Sequence, residues 1–224
     1  EELNIPQADS IMCYETVEAL DAIGEIGNKY ANGVVIKARG LTGGKGVTVC
    51  DNANEAISEI QNHSKSYGPE VLIAQRLYGQ EFSVFGISDG ESVSPLEIAL
   101  QDHKPLLEED EGPNTGGMGA YGPAPIASTE VVRNVAENMM TPVVQLMKKK
   151  GNEYKGFMYA GCMMTQEGPK IIEFNIRFGD PECQPAMMMI KNGLYQPLSL
   201  ALEGKLDEIN IELISSSFPS VSYT

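Results

Sequence analysis

Two tight-turn signals constrain this 224-residue chain more than anything else in it. Asp89-Gly90 separates the strand-like runs Glu81 to Ser88 and about Ser92 to Ala99, and Gln166-Glu167-Gly168 separates Gly156 to Thr165 from Pro169 to Arg177. Connections of two or three residues join antiparallel neighbours, because a parallel crossover takes a dozen residues or more. Further strand signals are Val34-Val35-Ile36-Lys37-Ala38 behind Gly33, then Val47 to Cys50, and Val71 to Leu77. Helical spacing covers Thr16 to Tyr30, with Val17, Leu20, Ile23 and Ile26 as its apolar stripe and Thr16 as its N-cap. It also covers Ala53 to Lys65, Ser128 to Lys150, Gln184 to Lys191 and Gln196 to Glu203, and Pro142 predicts a kink or break inside the third of these. Hairpins and helices alternate without a βαβ rhythm, so the expected class is α+β with mostly antiparallel sheets.

Gln101 to Pro125 breaks the pattern. It is rich in proline and glycine and has little periodicity, which marks a functional loop. The net charge of −15 excludes a broad basic surface for nucleic acid or anionic membrane, though not a small anion held by a few placed cations. No apolar run approaches the ~18 residues of a membrane span. Cys13, Cys50, Cys162 and Cys183 show no zinc-like spacing and are expected reduced and mostly buried, as in a cytoplasmic protein. The start at Glu1 and the linker-like Ser215-Ser216-Ser217-Phe218-Pro219 lead to the expectation of a piece of a longer chain.

Three constellations carry chemistry. In the first, Lys37 is followed by Gly40-Leu41-Thr42-Gly43-Gly44-Lys45-Gly46. Clustered glycines let backbone N–H groups approach a phosphate, although a hairpin loop with an exposed lysine fits the same pattern. It is not a Walker loop, since Arg39 and Gly46 stand where Gly and Ser/Thr are required, and Val49 breaks the dinucleotide fingerprint. In the second, strand alternation puts Glu173, Asn175 and Arg177 on one face and Ile172, Phe174 and Ile176 on the other, toward a core. A carboxylate beside an amide oxygen suits Mg²⁺, and an adjacent arginine suits phosphate; a solvated Glu–Arg face is the plainer reading. Phe178-Gly179-Asp180-Pro181-Glu182 then adds two acids in a turn. The third is Gln101-Asp102-His103-Lys104 with Gly112-Pro113-Asn114-Thr115-Gly116-Gly117-Met118-Gly119-Ala120-Tyr121, whose glycines suit a loop folded over a ligand. Glu108 to Glu111, between them, reads as a solvated charge run.

Taken together and in this order, these segments resemble the phosphoribosylamine–glycine ligase family of the ATP-grasp superfamily, along essentially the whole chain. The stretches GPNTGGMGAY and RFGDPE are specific to that family; the glycine loop alone indicates only ATP-grasp. The resemblance implies two α+β lobes clasping ATP. The small lid lobe would be residues 1–77, the large lobe with metal and substrate loops 78–214, and the start of a truncated carboxy-terminal domain 215–224. It implies Lys37, Gly43, Gly44, Lys45 and Gly46 on the ATP phosphates, the hinge residues Gln75 and Leu77 at adenine, and Glu81 near the ribose. Glu173 and Asn175 would hold Mg²⁺ or Mn²⁺, and Arg177 would touch phosphate. Asp102, Lys104, Asn114, Thr115, Gly116, Gly117 and Asp180 would surround glycine and phosphoribosylamine, with Lys37, Arg177 and Asp180 catalytic. Departures from the family pattern fall at Arg39, Ala74-Gln75, Pro105, Met189 and Gly193, and those at Pro105 and Met189 remove cations. The implied activity is an ATP-dependent carbon–nitrogen ligase of purine synthesis, completed by amino- and carboxy-terminal domains of the same chain. Two other readings stay open: an ATP-grasp ligase for other substrates, and a non-catalytic nucleotide-binding fragment.

Overall fold

A computed structural model describes residues 2–40, 42, 46–104, 107, 115 and 117–221. The chain divides into two compact units, Gln7–Tyr78, and Glu1–Pro6 with Gly79–Thr224. Every strand pairing in the two sheets is antiparallel, as the short turns require.

The smaller unit is a four-stranded sheet in the order β1-β4-β2-β3, formed by β1 (Ser10–Cys13), β2 (Val34–Ala38), β3 (Val47–Cys50) and β4 (Val71–Gln75). Two helices, α1 (Thr16–Lys29) and α2 (Ala53–Tyr67), pack on one face. Strand β1 has no turn signal of its own and becomes a strand only by pairing with β4, Ser10 opposite Ala74 and Cys13 opposite Val71. The stripe that α1 buries is Ala19, Ala22, Ile23 and Ile26, a clean helical spacing that includes two alanines; Val17, expected in it, is 67% exposed. The N-cap is Glu15, one residue before Thr16, because Glu18 reaches back to accept from the Tyr14 and Glu15 amides at 2.7 and 3.3 Å. Val34, Ile36, Cys50, Val71 and Ile73 fill the core with these helices. Alternation puts Val35, Lys37, Val47, Val49, Leu72 and Ala74 on the opposite face, with Lys37 between Val47 and Leu72.

In the larger unit six strands run in the order β10-β7-β6-β5-β8-β9. They are β5 (Gln80–Asp89), β6 (Val93–Asp102), β7 (Gly119–Gly122), β8 (Lys155–Thr165), β9 (Gly168–Asn175) and β10 (Phe218–Val221). One face packs Phe82, Val84, Met158, Ala160, Cys162 and Ile171 against α3 (Thr129–Val135), α4 (Thr141–Lys149) and the π-helical turn Ala136–Met140 between them. The other packs Phe85, Leu100 and Tyr159 against Ala186 and Met189 of α5 (Cys183–Met189), and α6 (Tyr195–Leu202) follows it. The break expected at Pro142 takes the form of that π turn. Proline has no N–H to give to Asn138, and the Thr141 N–H reaches back five residues to Ala136 O instead.

Three expectations are corrected. The stretch 101–125 is not structureless: β6 runs on to Asp102, and β7 pairs with it through Gln101–Tyr121 and Asp102–Ala120. The linker-like tail contributes Phe218–Val221 as an edge strand on β7. Ile176 is 70% exposed, because β9 ends at Asn175 and the chain bends away there. Earlier in β9 the β8–β9 register shifts between Gly161 and Cys162: Gly161 faces Glu173, but Cys162 faces Ile171. The extra residue, Ile172, is a bulge that turns Ile171 and Phe174 to the same core. Cys13, Cys50 and Cys162 are buried free thiols, as expected, and Cys183 is partly exposed.

Substituting Ile36→Ala, at a fully buried position, is expected to lower the unfolding free energy in urea by about 2–5 kcal/mol. Val17→Ala, on the exposed side of α1, is expected to stay within about 0.5 kcal/mol. Equal effects would contradict the packing of α1.

Candidate functional site

The sheet of the larger unit builds its polar site on the face that carries Phe85 and Tyr159. Ser83 on β5 faces Gly161 on β8, and Gly161 faces Glu173 on β9; one register step on, Tyr159 faces Asn175. Gly161 leaves the room the site uses: a Cβ there would stand 3.2 Å from Glu173 Cγ and 3.5 Å from Tyr159 Oη. Glu173 and Asn175 sit side by side, with Asn175 Nδ2 donating to Glu173 Oε1 at 3.0 Å. The strand ends at Asn175, so Arg177 lies in the bend beyond it, exposed, and donates from Nη1 to Phe178 O at 2.7 Å. Two adjacent oxygen-bearing side chains on a solvent-facing strand fit a hard cation that takes most of its ligands from elsewhere.

At the ends of β5 and β6 a second group assembles. Lys104 Nζ lies 2.9 Å from Glu81 Oε2. Burial works against the Lys104 ammonium, but the nearby Glu81, Tyr159 and Asp102 outweigh it and hold its pKa above the ordinary value. Thr115 ties its loop to the same residue, its N and Oγ1 each donating to Lys104 O at 2.8 Å. Gly117 has φ 116°, and a Cβ on it would meet Pro181 Cδ at 2.7 Å and Asp102 Oδ1 at 3.1 Å. Only glycine therefore lets these two chain segments close on Asp102. Asp102 Oδ1 is buried without a hydrogen-bond partner among the described residues. Burial, then the charges of Glu182, Glu81 and Asp180, push the Asp102 carboxyl up to about 7, against the pull of Lys104. Asp180 is exposed and accepts from Gln184 Nε2 at 3.0 Å.

The smaller unit carries the remaining described candidates. Lys37 stands on the sheet face away from the helices. Gly46 donates to Thr42 Oγ1 at 3.1 Å, and a Cβ there would fall 2.5 Å from that oxygen, so no side chain fits. Gln75 ends β4, its N–H donating to Asp9 O at 2.8 Å, and Leu77 follows it, half-buried. Gly43, Gly44, Lys45, Asn114, Gly116 and the acidic run Glu108 to Glu111 lie outside the described residues.

Sequence reasoning missed the buried polar residues beneath these groups. Ser83, Tyr159 and Glu182 form one network, and His63, 4% exposed, places Nε2 3.2 Å from Gly46 O. A lone serine within the apolar run Phe82 to Ile87 was the available signal for Ser83. Elsewhere in the larger unit a cavity of about 500 Å³ is lined by Glu97, Ile98, Pro123, Met189 and Leu213 among others, and none of the site residues lines it.

The folded Asp102 carboxyl, near 7 against an ordinary 3.8, binds its proton more tightly than the unfolded chain does, so its contribution to stability falls as pH rises from about 4 to 7. Asp102→Asn removes that contribution. In urea titrations the variant is expected to gain stability relative to the unsubstituted protein on going from pH 5 to pH 8; a difference that does not change with pH would refute the burial.

Comparison with known proteins places this architecture. Residues 1–183 match the family described as phosphoribosylglycinamide synthetase, ATP-grasp (A) domain. The phosphoribosylamine–glycine ligase of Rhodopirellula baltica is 48% identical over 180 residues, covering 78% of this chain and 41% of that protein. The Escherichia coli ligase of the same name is 44% identical over 211 residues, 92% of this chain and 48% of that protein. The crystal structure of phosphoribosylamine–glycine ligase from Thermotoga maritima superposes with a TM-score of 0.76 at 29% identity, over 91% of this chain and 51% of that one. The chain thus spans about half the length of the relatives it matches. Its α+β antiparallel architecture and its match over residues 1–183 establish that it belongs to the phosphoribosylglycinamide synthetase ATP-grasp (A) domain family.

Proposed function

We propose that this chain is the ATP-grasp core of a cytoplasmic ligase that joins glycine to 5-phosphoribosylamine at the expense of ATP. The products are glycinamide ribonucleotide, ADP and phosphate. The observation that carries the reading is the pairing of Glu173 with Asn175 on one strand face, within a chain of this family. On this reading 78–214 is the lobe with the metal and substrate loops, and the lid lobe, 1–77, supplies Lys37 to the ATP phosphates. Gly43, Gly44, Lys45 and Gly46 join Lys37 by sequence, Gln75 and Leu77 contact adenine, and Glu81 serves the ribose.

The reaction needs positioning and charge neutralisation and no protein nucleophile. Glycine's carboxylate attacks the γ-phosphorus, ADP leaves, and glycyl phosphate remains. The amine of phosphoribosylamine then attacks the acyl carbon and expels phosphate, losing a proton as the amide forms. Glu173 and Asn175 would hold Mg²⁺ or Mn²⁺, which would supply positive charge to neutralise the phosphates. Arg177 adds a cation for the phosphoryl group in flight. Asp102, Lys104, Asn114, Thr115, Gly116, Gly117 and Asp180 orient the two smaller substrates. The amino- and carboxy-terminal domains that the relatives' length allows for would complete the substrate site.

ADP release by the full-length protein, with glycine and phosphoribosylamine added together and separately, tests this. Release is expected only with both, and Lys37→Ala and Glu173→Ala are each expected to cut kcat by about 100-fold or more. Variants with unchanged release would remove the site assignment. Protein that binds Mg·ATP yet never turns over would instead be a non-catalytic nucleotide binder.

A further inference from the structure

Glu182 is a carboxyl group that the chemistry above leaves without a task. It is 3% exposed, in a motif turn whose other acid, Asp180, faces solvent. Two further buried polar residues reach it from the sheet. Ser83 Oγ lies 3.1 Å from Glu182 Oε1 and 3.1 Å from Tyr159 Oη. Ser83 has one hydrogen to give; donated to Glu182, it leaves Ser83 Oγ to accept from Tyr159. Ser83 is 3% and Tyr159 5% exposed, and both stand on the adjacent strands β5 and β8, where the Phe85 ring stacks on Tyr159 at 4.9 Å between centroids. All three are buried, and none is among the residues assigned above to a substrate.

What the network grips is the turn. A Cβ on Gly179 would lie 2.2 Å from Glu182 Oε2, so the Gly179 backbone is pressed against the carboxyl. The Cys183 N–H closes the same turn onto Gly179 O at 3.0 Å. Pro181 is the residue against which Gly117 packs, and Asp102 Oδ1 would lie 3.1 Å from a Cβ on Gly117. Burying a carboxyl here costs free energy that an apolar side chain of similar size would not, so filling space does not account for it.

We propose that Glu182 is a positioning residue: anchored to the sheet through Ser83 and Tyr159, it fixes the Gly179–Pro181 turn and thereby sets where Asp180 and Asp102 stand for the acceptor substrates. This rests on the ligase reading for its kinetic arm and on the protein alone for its second arm. In the full-length enzyme, Ser83→Ala and Glu182→Ala are expected to raise the KM for glycine or phosphoribosylamine by about tenfold or more. KM for ATP is expected to stay within about twofold, because Lys37 and the glycine-rich segment are untouched, and Glu182→Gln, whose amide oxygen still accepts from Ser83, recovers most of the loss. In the second arm, hydrogen exchange without substrates is expected to speed up at the Cys183 amide by about tenfold in Ser83→Ala and in Tyr159→Phe, while β2 and β4 amides keep their protection. A parallel rise in all three Michaelis constants, or unchanged exchange at Cys183, overturns the proposal. If the unsubstituted enzyme shows no glycine-dependent turnover, the ligase reading fails and the exchange measurement alone decides the role of Glu182.

Discussion

The antiparallel register across β5, β8 and β9 is the constraint from which the larger unit follows. Facing residues on adjacent strands share a sheet face, so Ser83, Gly161 and Glu173 align across three strands, with Tyr159 opposite Asn175 beside them. On the reverse face the same register aligns Phe82 with Cys162 and Val84 with Ala160 and Phe174 against α3 and α4. One sheet thereby sorts its polar and apolar side chains without a separate scaffold. The bulge at Ile172 is what allows both at once: it corrects the alternation so that Ile171 and Phe174 reach the core while Glu173 and Asn175 stay outside.

Glycines do the corresponding work in the loops. Gly161 makes room for Glu173 and Tyr159, Gly117 lets Pro181 and Asp102 approach, and Gly179 lies on the Glu182 carboxyl. In each case the missing Cβ is occupied by a polar residue or by a neighbour that carries one. The electrostatics follow from that closeness. In a chain of net charge −15, Glu182, Glu81 and Asp180 stand near Asp102, and the Asp102 carboxyl rises to about 7 because burial and these acidic neighbours outweigh the Lys104 cation.

Much of this was legible in the sequence because it is local. Asp89-Gly90 and Gln166-Glu167-Gly168 announced hairpins that the structure contains, and period-two alternation placed Glu173 beside Asn175. Errors arose where a distant partner decides the outcome. Strand β1 exists because β4 offers it an edge; β7 exists because β6 continues to Asp102; Ile176 is exposed because the pairing of β9 with β8 ends at Asn175. The α1 stripe was misread for a different reason: alanines at 19 and 22 bury as fully as the isoleucines, yet carry little apolar signal.

By itself, then, the sequence determined the α+β class, the antiparallel pairing and the family, since turn length, residue alternation and short motifs are properties of adjacent residues. Tertiary structure decided which polar residues are surface and which are buried. Glu182 and Asp180 are two acids of one turn, indistinguishable by composition, yet Ser83 and Tyr159, 99 and 23 positions from Glu182, bury the first and leave the second in water. Burial depends on which strands pack beneath a turn, and the closure of such long loops is paid for by the whole core, so no local pattern encodes it.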